Sequence, residues 1–434
     1  MSHASLRDTA PAGWSHPASS SDSVTQPAGH IPALDGLRGL AILLVMSYHL
    51  TVMDRLAPFD KALGEILYWA WWGVDLFFVL SGFLITRILV DARATGAPLR
   101  NFYSRRALRI FPLYYAVVFV TFALLPLIPH PTAQQMSAVT GSPAWYWFYL
   151  SNFHMASLGQ YTSPVLVVAW SLAIEEQFYL LWPIVILLIP DRHLGRACLA
   201  LPIIGLATRV ALLLFSNPNG LTLYMLTPCR LDALGIGAWI AVLSRSPATL
   251  CSIVPLVRVT FLATALLLPT LLLIEIPFAG RDLAEALLFT ALALFFGASL
   301  ILVLTSPPAA RTTTFLQHPV LRTFGQYSYA LYLLHLPVVI LLRTHGFHPR
   351  QLPTLFGSQL PGQFLFYAAA TTLSLTAAYA SWHLFEKQLL KLKSRFPMEA
   401  PPAPPQPAHV PATANATAIT PAPVPTCSVR TAVP

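Results

Sequence analysis

The chain is short of charge. Only 10% of its 434 residues are Asp, Glu, Lys or Arg, where a soluble domain carries about a quarter. So few charges cannot clothe a water-facing globule of this length. Cysteine is scarce too. Cys198, Cys229, Cys251 and Cys427 show no close pairing and no metal-like spacing, so neither a disulfide framework nor a zinc site is indicated. The first thirty residues hold no apolar stretch, which excludes a cleavable signal peptide within them. The net charge of +9 does not call for nucleic acid, because in membrane proteins a Lys/Arg excess marks cytoplasmic loops. The two halves show no inverted repeat, the mark of the commonest transporter architectures.

What is abundant is apolar. Hydrophobic residues make up 56% of the chain and the mean hydropathy is +0.63. The expected fold class is all-α, a polytopic transmembrane helical bundle. Ten spans are expected at 34–53, 66–90, 110–128, 166–190, 197–215, 229–244, 257–275, 284–305, 323–343 and 363–386. The aromatic stretch 145–154 is too short to span and is expected at the outer interface or as a re-entrant piece. With the N-terminus inside, Arg93, Arg100, Arg105, Arg106, Arg109 and the cluster Lys387 to Arg395 fall on the inner side. Arg55, Lys61, Arg281, Arg343 and Arg350 fall outside. This bias places both termini in the cytoplasm. Residues 1–32 and the Pro/Ala-rich run 394–434 read as disordered, flanking a membrane domain at 33–393. No second globular domain fits after the last apolar run.

Polar residues inside apolar spans are costly and mark function by default. The first span carries Arg38 and His49. Eleven helical steps return the two side chains to within about 20° of one face and separate them by ~16 Å along the axis. Asp75 follows in the second span, and the adjacent carboxylates Glu175 and Glu176 in the fourth. Those two point about 100° apart and cannot share one partner equally. Arg230 and Asp232, two residues apart, do not face each other and are expected to pair elsewhere. His335 lies in the ninth span with Ser328 and Tyr332 on its face. Taken singly, an arginine near a helix start is a snorkelling, topogenic residue. The shared face of Arg38 and His49 suggests instead a polar pathway along the first helix.

These residues sit in five ordered motifs: Arg38 with His49; Gly73-Val74-Asp75 through Ser81-Gly82-Phe83; Arg105-Arg106-Ala-Leu-Arg109-Ile-Phe-Pro112-Leu-Tyr114; Trp170-Ser171 through Glu175-Glu176-Gln177-Phe-Tyr179; and Ser328-Tyr329 through Tyr332, His335 and Pro337. In these the chain resembles the acyltransferase 3 family of integral membrane acyltransferases, from about Ala33 to Lys387. The resemblance implies transfer of an acyl group, often acetyl, from cytoplasmic acyl-CoA to a hydroxyl of a surface glycan or related acceptor. It implies a bacterial inner membrane location, an essential arginine and histidine at Arg38 and His49, and no metal. The run Glu386-Lys387-Gln388 departs from the family, which often has a proline two residues after that glutamate. Some relatives carry a further soluble domain that completes transfer outside the cell, and an extracytoplasmic partner is a matching expectation here.

The expected chemistry follows. His49 is a base or an acyl-accepting nucleophile, with Arg38, Asp75, Glu175 and Glu176 as further catalytic candidates. Asp75 or a glutamate of the fourth span is expected to orient the imidazole. Arg105, Arg106 and Arg109 are candidates for the donor phosphates, and Ser81, Trp170, Arg230 and His335 for the rest of the donor site. The pantetheine arm of CoA is comparable in length with the ~16 Å between Arg38 and His49. The competing class is a secondary transporter or glycan flippase using the same buried charges as a relay.

Overall fold

The computed structural model describes residues 31–54, 57–124, 142–275 and 281–398. The segments expected to be disordered, apart from their inner margins, lie outside these, as do Arg55 and Cys427. Among the described residues there is no strand, only an isolated bridge between Leu355 and Ser358, and the chain is an all-α bundle. Its helices of eight residues or more are α1 (Pro32–Leu50), α2 (Pro58–Tyr68), α3 (Gly73–Thr95), α4 (Leu99–Phe119), α5 (Ser151–Leu158), α6 (Ala169–Leu188), α7 (Asp191–Phe215), α8 (Leu231–Leu243), α9 (Val254–Glu275), α10 (Arg281–Thr305), α11 (Pro319–Gln326), α12 (Ser328–Thr344) and α13 (Leu360–Ser381).

Eight of the described helical segments are long and apolar enough to cross a membrane: α1, the continuous α2–α3 rod, α4, α6, α7, α9, α10 and α12. Two of the ten expected spans fall outside that set. Helix α8 has 13 residues, about 20 Å at 1.5 Å per residue, against a hydrocarbon core of about 30 Å. Helix α13 is long enough, but its run of Ala, Thr and Ser dilutes its hydropathy. Prolines 112, 183, 202, 269 and 337 lie inside helices, a position membrane helices tolerate. The outward faces of α6, α7 and α9 expose Leu188, Ile203, Phe215 and Leu266, an apolar surface that suits lipid and not water. The chain is an integral membrane protein.

Helix α3 sits at the centre, and glycine sets how closely its neighbours approach. A Cβ on Gly82 would run into the Leu234 carbonyl oxygen, and one on Gly237 into that of Val79. The backbones of α3 and α8 therefore touch, as small residues permit in membrane bundles. Helix α1 packs in turn on α3, α11 and α12.

The far end of α1 is pinned by polar side chains. Gln363, fully buried on α13, donates to the Leu50 carbonyl (2.8 Å) and accepts from the backbone N–H of Val52 and Met53 (3.1 Å each). The helix end thereby gains partners for groups that would be orphaned. Gln359 does the same for Asp54 N–H at 3.0 Å, and Asp54 pairs with Arg350.

The aromatic stretch 145–154 forms parts of two short helices rather than a span. Trp147 and Phe148 are exposed, while Tyr146 and Asn152 are buried against α4 and α6, where Tyr114 donates to the Tyr146 carbonyl and Gln177 to Asn152 Oδ1. Residues 391–398, which straddle the expected domain boundary, fold back along α3 and α4. Thr95 donates to the Met398 carbonyl, Asn101 to that of Pro397 and Arg105 to that of Phe396. Cys198 and Cys229 are buried free thiols. Cys251 is disulfide-bonded, which spacing along the chain did not indicate.

Candidate active site

Arg38 and His49 project from one stripe of α1 into two different cavities. The first, of about 140 Å³, is lined by Arg38, Ser81, Arg106, Arg109, Ser171, Glu175, Tyr179, Ser328 and Tyr332, among others. The second, of about 470 Å³, is lined by His49 together with Tyr48, Tyr68, Trp71, Trp170, Tyr224, Glu285 and Phe289, and again by Tyr332. Val74 and Tyr332 border both. The two cavities thus adjoin at Tyr332, whose hydroxyl is hydrogen-bonded to that of Ser171.

His49 has a partner that the sequence reading assigned elsewhere. Its Nδ1 lies 3.0 Å from Nε2 of His335, and the ring centroids are 5.0 Å apart. His335 is fully buried, and its Nδ1 lies 2.8 Å from the Leu331 carbonyl. A carbonyl only accepts, so His335 carries its proton on Nδ1 and offers a lone pair at Nε2. His49 Nδ1 must then be the donor, which leaves the lone pair of His49 on Nε2. Proton positions here follow from the partners. A neutral imidazole held in this tautomer can take a proton from a group in the second cavity. His335, expected in the donor site, lines neither cavity and lies against His49 Nδ1 instead.

The first cavity gathers the basic residues. Arg38 donates to Ser328 Oγ at 3.1 Å. Arg106 lies over the rings of Phe102 and Tyr179, at 5.8 and 5.6 Å, and Arg109 over Trp382 at 5.2 Å. Neither forms a salt bridge among the described residues. Glu175 is held opposite by Ser81 Oγ (2.8 Å) and the Tyr179 hydroxyl (2.9 Å). Lys393, from the segment folded along α4, adds a cation at this end. Burial, then Arg109, Arg106 and Arg105, push its ammonium down to about 8. A cluster of cations without ion pairs is a site for a polyanion, and phosphates suit it through charge-assisted hydrogen bonds.

Most of the other expected site residues join neither cavity. Asp75 is completely buried and paired with Arg230, not with His49. On α3 it follows Val74, which faces the cavities, and one residue turns the side chain by about 100°. Arg230 is equally buried; its guanidinium stacks on Phe78, Tyr224 and Phe289, 4.2 Å from the last centroid, and is sealed from any donor. Asp232 pairs at 2.8 Å with Arg209, so Arg230 and Asp232 do find separate partners. Glu176 is turned away from Glu175 and lines neither cavity. Arg105 spends a hydrogen bond on the C-terminal segment. Trp170 borders the histidine cavity and not the arginine one. Ser171, Tyr179, Tyr332, Lys393 and Arg209 were not singled out as site residues. A signal for two of them was present: Ser171 and Tyr179 fall four residues either side of Glu175, one polar stripe on α6. Among the described residues no three His, Cys, Asp or Glu side chains group as they would round a metal ion.

Comparison with known proteins bears on this arrangement. The family model described as an acyltransferase domain matches residues 31–383. The Bacillus subtilis protein YrhL is 33% identical over 339 residues, covering 73% of this chain and 50% of YrhL. The peptidoglycan O-acetyltransferase OatA of Listeria monocytogenes is 31% identical over 336 residues, 72% of this chain and 50% of its own. The O-acetyltransferase OatA of Staphylococcus aureus is 28% identical over 328 residues, 73% and 52% respectively. The chain thus spans about half the length of these curated relatives. No solved structure matches it.

Proposed function

The chain belongs to the acyltransferase 3 family, and we propose that it moves an acetyl group from acetyl-CoA, entering on the cytoplasmic side, to a hydroxyl of a cell-wall glycan in a bacterial inner membrane. The observation that carries this reading is the His335–His49 pair, ending in a nitrogen lone pair beside one cavity, with a basic cavity adjoining it. The relatives' names favour an acetyl group and a peptidoglycan acceptor.

In this reading Arg106, Arg109 and Lys393 hold the donor's phosphates, and Arg38 sits further in, where a charged fork can grip a pyrophosphate or polarise a carbonyl. The ~16 Å from Arg38 to His49 matches a pantetheine arm passing Tyr332. His49 Nε2 removes the proton from the acceptor hydroxyl, whose oxygen bonds to the thioester carbonyl carbon. The carbon–sulfur bond then breaks, and the thiolate takes the proton back from His49 Nε2, so base and acid are one residue. His335 Nε2 accepts the Nδ1–H throughout and favours the transient imidazolium. The products are an O-acetyl ester and the free CoA thiol. An extracytoplasmic partner fits this scheme as the carrier of product outward.

The test uses protein purified in the membrane state with radiolabelled acetyl-CoA and a soluble glycan fragment. Transfer by the wild type and its loss in His49→Ala, with the variant still inserted in membranes, is the expected result. Near-normal transfer by His49→Ala would defeat the assignment. A wild type that neither transfers nor hydrolyses would favour the carrier reading.

A further inference from the structure

The second cavity has a composition that the donor chemistry does not explain. Its volume of about 470 Å³ falls in the range of small-molecule sites. One wall is a continuous aromatic surface. Trp71 meets Tyr224 at 5.3 Å, and Tyr224 meets Trp170 at 4.5 Å and Phe289 at 5.9 Å. Among the groups reaching the same space are His49 and the carboxylate of Glu285. A lipid chain has no use for a carboxylate or an imidazole.

A sugar ring matches both halves of this lining. Its C–H face lies on aromatic rings, and its equatorial hydroxyls need acceptors at the edge. Aromatic side chains with polar tips suit such an amphipathic ligand. A carboxylate accepts several hydroxyl protons at once.

The wall is also braced from behind. Arg230, locked by Asp75, lies 4.2 Å from the Phe289 centroid and 5.4 Å from that of Tyr224. Arg209 also lies over Phe289, at 5.5 Å, and pairs with Asp232. Two buried ion pairs thus hold rings that face the cavity, which gives this costly arrangement a purpose: a rigid platform prepared before the ligand arrives.

Building on the acyltransferase reading, we propose that this cavity is the acceptor subsite, and that it takes one pyranose ring of the glycan stacked on Trp71 and Tyr224, with one ring hydroxyl at His49 Nε2 and another at Glu285.

The test is a titration of the full chain in phosphatidylcholine nanodiscs, free of glycoside detergents, with chitotetraose and without acetyl-CoA. Tryptophan emission of the wild type is expected to change saturably. Trp71→Phe, which keeps a ring, should bind with near wild-type half-saturation, read through Trp170 in the same wall. Trp71→Ala and Glu285→Gln should each raise the saccharide concentration for half-saturation about tenfold or more, and raise the acceptor KM in transfer by the same factor with donor KM unchanged. Unchanged half-saturation in both Trp71→Ala and Glu285→Gln would overturn the subsite. Saccharide binding at Trp71 in a protein inert toward acetyl-CoA would keep the subsite and refute the donor reading instead.

Discussion

Replacing His335 by alanine removes the only imidazole nitrogen within hydrogen-bond reach of His49 Nδ1 among the described residues, at 3.0 Å. The loss can be sized. The Val45 carbonyl one turn back stays within reach of the imidazole, so the loss is that of one net hydrogen bond, about 0.5–1.5 kcal/mol. At 1.36 kcal/mol per tenfold change in rate, kcat should fall roughly 2- to 13-fold if that cost falls on the reacting state. The ceiling is the general-base contribution itself, about 10²- to 10⁴-fold, which His49→Ala should forfeit whole. His335→Ala must therefore lie between the wild type and His49→Ala. Donor KM should not move, because the arginines proposed to hold the donor line the other cavity, ~16 Å along α1. His335→Gln, whose side-chain oxygen can accept from Nδ1, should recover part of the rate.

The assay is the initial rate of radiolabelled acetyl transfer at saturating donor and acceptor. The informative variant is the double one. Two residues acting as one unit are not additive, so His49→Ala with His335→Ala should be no slower than His49→Ala alone. A His335→Ala enzyme with wild-type kcat would refute the relay. So would a double variant slowed by the full product of the two single effects.

Three further outcomes are expected. Lys393 is charged below about pH 8 and neutral above it, so kcat/KM for the donor should fall by about three- to tenfold as pH rises from 7 to 9, the share of one partly exposed charge-assisted contact; Lys393→Arg should flatten that fall, and Lys393→Gln should start low and stay flat. Asp232→Asn strands the Arg209 guanidinium in the interior, which costs about 3–5 kcal/mol, whereas Asp91→Asn breaks only the exposed pair with Arg245 and should cost under about 0.5 kcal/mol; thermal unfolding of the two variants in the same detergent compares them directly. Gly82→Val forces a side chain against the Leu234 backbone, so it should abolish the folded, monodisperse protein, and a variant that purifies normally would show that α3 and α8 do not touch there.

How far the chain could be read without its structure depended on whether a feature lies along one helix or between two. The Arg38–His49 stripe was legible because both ends belong to α1, and 3.6 residues per turn fix their relation. Helices α3, α4, α6, α7, α9 and α10 were legible from apolar runs alone, whereas α12 begins five residues later than expected, at Ser328, because the chain turns at Tyr327. The partner of His49 was not legible in the same way. His335 lies 286 residues away, and hydropathy places both histidines in outer halves without saying which touches which. Asp75 shows the converse error. Its burial was readable from its apolar surroundings, but its direction was not: Val74 next to it faces the cavities and Asp75 turns toward Arg230.

A finer reading of single helices would have narrowed this gap. Ser171, Glu175 and Tyr179 share one stripe of α6, Ser328 and Tyr332 one of α12, and Arg106, Arg109 and Ile110 one of α4, and all of these side chains line the arginine cavity. Polar residues repeating at three or four positions within an apolar helix report a wet face, because each must find water or a partner there. Glu176, one step off its stripe, falls outside the cavity. The stripe therefore discriminates between adjacent carboxylates where composition and motif treat them alike, and it makes Glu175 rather than Glu176 the carboxylate whose replacement by glutamine should disturb donor use.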